Sequence, residues 1–239
     1  AGILPPRPAD AHKGTFGTAL IAAGSVSYTG AAYLSAKAAY RVGAGLVTLA
    51  VPEPLYPALA GHLPEVTWLI LPHWDGVVSR DAVGVLKSNL GRATALLVGP
   101  GFGMELTTKE FIENLFSEKY PLKNYAAHMG FKLGANEEDE KQSTKLPPLV
   151  VDADGLKLLA QIPDWHTKLP ALSVLTPHPG EMSVLTGLSK EQIQFDRESV
   201  AAKYAKQWGH IVVLKGAFTV IAAPDGRIAI LPFASAALA

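Results

Sequence analysis

Short, uninterrupted runs of Val, Ile, Leu and Ala, set apart by stretches of helical pattern, constrain this chain more than any other feature. Residues 18–23 (TALIAA) form the first, 45–51 (GLVTLAV) the second, 66–71 the third and 93–98 the fourth. Residues 149–152, 171–175 and 211–214 complete the central set. Runs of this kind read as strands buried on both faces. Such strands, joined through helices, need right-handed crossovers, so the sheet is expected to be mostly parallel with helices on both faces. An alanine-rich helical pattern over 30–42 supplies the first crossover. Near the end, 218–223 and 227–230 flank Pro224-Asp225-Gly226, which predicts a hairpin.

The 239 residues suffice for one large α/β domain, and 49% apolar against 18% charged residues is a globular balance. Lys plus Arg equals Asp plus Glu at 21 each, which points away from nucleic acid and anionic membranes as partners. No apolar run approaches the roughly 18 residues of a membrane helix. Cysteine is absent, which excludes disulfides, thiolate metal sites and cysteine nucleophiles. A cytoplasmic home is expected. Residues 1–12 read as a proline-rich lead-in and 13–239 as a single domain. From 117 to 148 the pattern dissolves into polar and charged residues, expected to be a surface insertion with a short helix around 125–131.

In open parallel sheets, ligands bind beyond the carboxyl ends of the strands. The distinctive loops of this sequence fall there. Residues 24–30 (GSVSYTG) follow the first strand and open a helix, where amides and the helix N-terminus favour an anion; a tight packing turn is the plainer reading. Gly99-Pro100-Gly101-Phe102-Gly103 follows the fourth strand and permits close backbone approach. Asp152 and Asp154 end the next strand: Asp152 suits a metal-bound phosphate, Asp154 a helix cap. In Thr176-Pro177-His178-Pro179-Gly180-Glu181 two prolines fix the backbone around an imidazole placed to meet a ligand amide or phosphate, while Glu181 reads as a first-turn helix charge. Lys215-Gly216-Ala217-Phe218-Thr219 can cradle phosphate through charge, hydroxyl and amides, or simply turn a corner.

Together with His12-Lys13-Gly14, Tyr28-Thr29-Gly30-Ala31 and Gly43-Ala44-Gly45-Leu46-Val47, these segments resemble, in order, the NAD(P)H-hydrate dehydratase family of ribokinase-like fold. The resemblance covers nearly the whole chain outside the insertion. It implies that hydrated NADH or NADPH, in the S form, loses water while ADP or ATP is consumed with magnesium. It implies that Ala31, Gly103 and His178 contact the hydrated nucleotide. Lys215, Gly216, Ala217, Phe218 and Thr219 would bind the adenine nucleotide, with Asp152 near its phosphates and Lys13 also able to approach phosphate. No residue is assigned as a metal ligand in its own right. A homo-oligomer, a tetramer, is the expected assembly.

The family's catalytic aspartate sits in a Gly-x-Gly-Asp loop, and none of the 239 residues form that pattern. The expectation is therefore a domain whose C-terminal part is missing after Ala239, with no catalytic residue inside the chain and with an epimerase domain fused upstream. A vitamin-precursor kinase of the same fold and a non-catalytic nucleotide-binding module are the competing readings.

Overall fold

The computed structural model describes residues 6–12, 14–117 and 145–233. Its centre is a nine-stranded sheet in the order β11-β10-β9-β8-β7-β6-β1-β2-β3. The apolar runs became β1 (Thr18–Ala22), β2 (Leu46–Pro52), β3 (Thr67–Leu71), β6 (Ala95–Val98), β7 (Leu149–Val151), β8 (Val174–Leu175) and β9 (Ile211–Leu214). All of these pair in parallel, whereas β10 (Val220–Ala222) and β11 (Ile228–Ile230) form the expected antiparallel hairpin at one edge. The strand order reverses between β1 and β6, so a crevice opens there beyond the carboxyl ends.

Two details depart from expectation. The run 171–175 is strand only at its end, because Ser173 folds back on Pro170: its N–H and its hydroxyl both donate to that carbonyl, at 3.2 and 2.7 Å. A second hairpin, β4 (His73–Trp74) with β5 (Val77–Val78), was not anticipated. Its turn, Asp75-Gly76, has φ of 47° and 78°, the two positive values a tight hairpin turn requires. Strands two residues long carry too little alternation to be read from sequence. The expected helix at 125–131 lies outside the described residues.

Alternation along the strands separates two cores. Leu20, Ala22, Leu96, Val98 and Val151 face one side, under α3 (Ala82–Lys87), α4 (Leu106–Leu115), α5 (Asp154–Leu159), α7 (Lys190–Phe195) and α8 (Arg197–Trp208). Ile21, Leu49 and Val51 face the other, under α1 (Thr29–Val42) and α2 (Leu55–Leu59). On this second side the register continues from Ile21 through Leu97, Val150 and Val174 to Ile211. Those last four side chains are only half-buried. The expected double cover is thus complete over β1 and β2, and among the described residues it thins towards β9. No described helix is long and apolar enough to cross a membrane.

Phe111 on α4 is fully buried and meets Phe102 edge-to-face, with centroids 5.7 Å apart and planes at 87°. Phe111→Ala should therefore cost about 3–5 kcal/mol in urea unfolding. Leu34→Ala, at a side chain 65% exposed, should stay within about 0.5 kcal/mol of the parent.

His210, just before β9, is buried, with Nε2 2.8 Å from the His166 carbonyl and no partner for Nδ1. Burial holds its imidazole below the ordinary value of 6.5. The unfolded chain then binds a proton that the folded chain resists, so this stability is present above that value and is lost as pH falls through it. Urea midpoints should drop on acidification below about 6.5. His210→Asn should flatten that dependence.

Candidate active site

Five loops stand on the carboxyl rim: 23–28 after β1, 99–105 after β6, 152–153 after β7, 176–178 after β8 and 215–219 after β9. Backbone contacts lock them together. The Gly24 N–H donates to the Pro100 carbonyl at 2.7 Å, joining the two loops that border the switch point. Gly99 has φ of +114°, and a Cβ there would lie 2.2 Å from the Asp152 carbonyl oxygen. Gly101 has φ of +68°, and its Cβ would meet Ala31 at 2.7 Å and the Tyr28 carbonyl oxygen at 3.1 Å. Glycine is therefore a packing requirement at both positions, and it brings the β6 loop onto the first turn of α1, where Ala31 sits.

The resemblance placed Gly103 and Asp154 in separate motifs, and the structure joins them. Asp154 was expected as a helix cap, but Ala153 holds the N-cap position of α5. The Asp154 carboxylate instead accepts the Gly103 N–H at 3.1 Å and the Lys157 ammonium at 2.9 Å. That hydrogen bond, ahead of the attraction between the charges, raises the Lys157 pKa.

Further along the rim, two groups assigned to different ligands meet. Lys215 Nζ lies 2.6 Å from Asp152 Oδ1 and 3.8 Å from Glu181 Oε2. The Thr176 hydroxyl donates to the same Asp152 oxygen at 2.7 Å. His178 is the N-cap of α6 (Pro179–Thr186): its Nδ1 accepts the Gly180 and Glu181 N–H groups at 2.9 and 3.2 Å. Its own N–H donates to Glu181 at 2.8 Å, closing a capping box. Nε2 sits 3.3 Å from the other Glu181 oxygen. Both ring nitrogens are thus engaged within the chain, and a side chain 51% exposed presents chiefly its ring to a ligand.

Glu181, read from sequence as a first-turn helix charge, is that and more: it is 3% exposed and connects His178 to Lys215. The Glu three places after the cap residue was the available signal, hidden because histidine is an unusual cap. Arg197 was missed altogether. Its guanidinium donates to the carbonyls of Leu214 and Ala217 at 2.7 and 2.6 Å, gripping both ends of the Lys215–Ala217 turn, and burial lowers its pKa. Phe218 follows with φ of +56° and an exposed ring, and the Thr219 hydroxyl donates back to the Gly216 carbonyl at 3.1 Å.

Two motifs lie elsewhere. Gly43 caps the C-terminus of α1 at the opposite end of the sheet. His12 and Gly14 precede β1, by the amino ends of β1 and β6; Lys13, the residue expected to approach phosphate, lies outside the described residues. Among the described residues no group of three or more His, Asp or Glu could hold a metal ion. A magnesium carried on nucleotide phosphates needs only one or two carboxylates, and Asp152 at a strand end suits that use.

Glycine-lined loops on one rim of a mostly parallel sheet, crowned by a lysine–carboxylate cluster, define a ribokinase-like α/β domain. Its family is settled by comparison: the NAD(P)H-hydrate dehydratase profile matches residues 19–126 and 123–239, and the chain belongs to that family. It is 39% identical over 230 residues to a bifunctional NAD(P)H-hydrate repair enzyme from Moorella thermoacetica, covering 96% of this chain and 38% of the relative. It is 30% identical over 236 residues to an ADP-dependent (S)-NAD(P)H-hydrate dehydratase from Bacillus subtilis, covering 99% of this chain and 71% of that one. A crystal structure of the Bacillus subtilis ADP/ATP-dependent NAD(P)H-hydrate dehydratase, co-crystallised with ATP/Mg2+, superposes with a TM-score of 0.69 at 29% identity, over 98% of this chain and 70% of that one. The chain thus spans less than two fifths of the bifunctional relative.

Gly99→Ala tests the locked rim. It should lower stability by about 1–3 kcal/mol, since the left-handed backbone and the Asp152 contact both oppose a methyl group. Gly61→Ala, with nothing within 4 Å of its Cβ, should be neutral or slightly stabilising.

Proposed function

We propose that this chain binds hydrated NADH or NADPH beside ADP or ATP and serves the nucleotide-driven return of the hydrate to NADH or NADPH. One observation carries the reading. His178, assigned to the hydrated nucleotide, and Lys215, assigned to the adenine nucleotide, share a single buried carboxylate, Glu181. A phosphate donor on one side and a hydroxyl acceptor on the other would therefore be neighbours.

The chemistry follows from that adjacency. The ring hydroxyl of the hydrate is a poor leaving group, and phosphoryl transfer makes it a good one. The C–O bond then breaks, the hydroxyl oxygen leaving with the transferred phosphoryl group as inorganic phosphate; a neighbouring ring carbon gives up a proton as the double bond forms, and ADP leaves as AMP. Such transfer depends on positioning and charge balance more than on covalent help from the protein. Lys215 supplies positive charge to the transferred group, and Arg197 holds the loop that carries it. Magnesium, when bound with the nucleotide, neutralises phosphate charge, and Asp152 is the residue that would hold it. The Gly-x-Gly-Asp pattern that the resemblance associates with proton acceptance does not occur in these 239 residues, so the roles proposed for them are in binding and charge balance. A homotetramer in the cytoplasm goes with this reading and rests on the family resemblance.

Calorimetry tests it. ADP and hydrated NADH should each bind saturably, and a vitamin-precursor alcohol should not. Lys215→Ala should weaken ADP about tenfold or more while leaving hydrated NADH bound. Preference for the alcohol would favour a kinase instead. Recovery of NADH absorbance by these residues alone would show that proton transfer does not need the Gly-x-Gly-Asp aspartate.

A further inference from the structure

Between the β4–β5 hairpin and the start of α4 lies a cleft of about 620 Å³, lined among others by Trp74, Arg80, Asp81, Leu106 and Glu110. That is within the range of sites for small ligands. The hairpin is held from both sides. The Val26 N–H, in the loop after β1, donates to the Gly76 carbonyl at 3.0 Å. The Thr108 hydroxyl of α4 donates to the Val78 carbonyl at 3.2 Å, and the Arg80 N–H to the Thr107 hydroxyl at 3.1 Å. On this anchored support Trp74 is 72% exposed. An indole held out on a rigid turn offers a stacking face at little entropic cost.

The cleft adjoins the switch-point crevice. Its wall begins at Glu105, two residues beyond Gly103, and the hairpin rests on the loop that leads to Ala31. The loop 215–219 lies on the other side of the crevice, across β7 and β8. A dinucleotide whose reactive ring sits among Ala31, Gly103 and His178, with a second nucleotide on 215–219, must run its far end the other way.

We propose that this cleft takes the adenosine end of the hydrated dinucleotide, with the adenine on Trp74, and that it selects hydrated NADH over hydrated NADPH. The inference rests on the function proposed above. Its selectivity comes from charge. Asp75, Asp81, Glu105 and Glu110 line the cleft against Arg80 and His73. Arg80 is already shared by Asp81 and Glu110, at 3.9 and 3.8 Å. A ribose 2′-hydroxyl can donate to such carboxylates, whereas a 2′-phosphate is repelled by them.

Fluorescence titration of the 239-residue chain provides the test. The parent should bind hydrated NADH about tenfold or more tighter than hydrated NADPH. Trp74→Ala should weaken hydrated NADH about tenfold and leave ADP affinity unchanged. The double variant Asp81→Asn, Glu110→Gln, which frees Arg80, should move the ratio towards hydrated NADPH. Equal affinity of the parent for the two hydrates, or unchanged binding of hydrated NADH by Trp74→Ala, overturns the cleft assignment while the proposed function stands. Failure of the parent to bind hydrated NADH at all overturns both.

Discussion

The register between β1 and β6 is the constraint on which the rest depends. These two strands pair in parallel although more than seventy residues of chain separate them, and the sheet grows outwards from them in opposite directions. Parallel pairing forces every connection back across a face, so each following loop emerges at the same rim. The rim loops need no individual device to find one another. Gly24 and Pro100 meet because their strands do, and Gly99 comes within a methyl's width of the Asp152 backbone for the same reason.

Much of this was legible in the sequence. Buried strands declare themselves by continuous apolar residues, and the Asp225-Gly226 turn declared the terminal hairpin. The rim was legible too, since loops rich in Gly, Pro, Asp and Lys follow the runs that became β1, β6, β7, β8 and β9. What escaped were contacts made by side chains across long separations. Arg197 looks like any charge near the start of a helix, yet it grips a loop that begins with Lys215. Asp154 has the position of a cap and spends its carboxylate on Gly103 instead. Glu181 has the spacing of a capping box, but its burial against His178 and Lys215 depends on how β8 and β9 lie side by side. The hairpin bearing Trp74 is too short for any periodic signal and is held by bonds to residues distant in sequence.

The two cores differ in a way that bears on the site. The side under α3, α4, α5 and α8 runs without a break from β3 to β10, and it anchors α4 and α5, which present Glu105 and Asp154 to the rim. The side under α1 and α2 is dense at β1 and β2 and looser beyond. The crevice thus lies where the sheet is clamped from both faces. Within it, the absence of a side chain at Gly101 lets the β6 loop lie against Ala31.

The pairing of Lys215 has a consequence for selectivity among anions. Its ammonium already has Asp152 at 2.6 Å and Glu181 within 4 Å, so an incoming anion exchanges one set of ionic contacts for another. Only the difference between the two sets contributes to affinity. A singly charged ion such as chloride gains almost nothing from that exchange. A polyphosphate, which the proposed function would bring to this loop, has several charged oxygens with which to replace the two carboxylates. A lysine kept in company in this way is a poor general anion trap and a good discriminator by charge density.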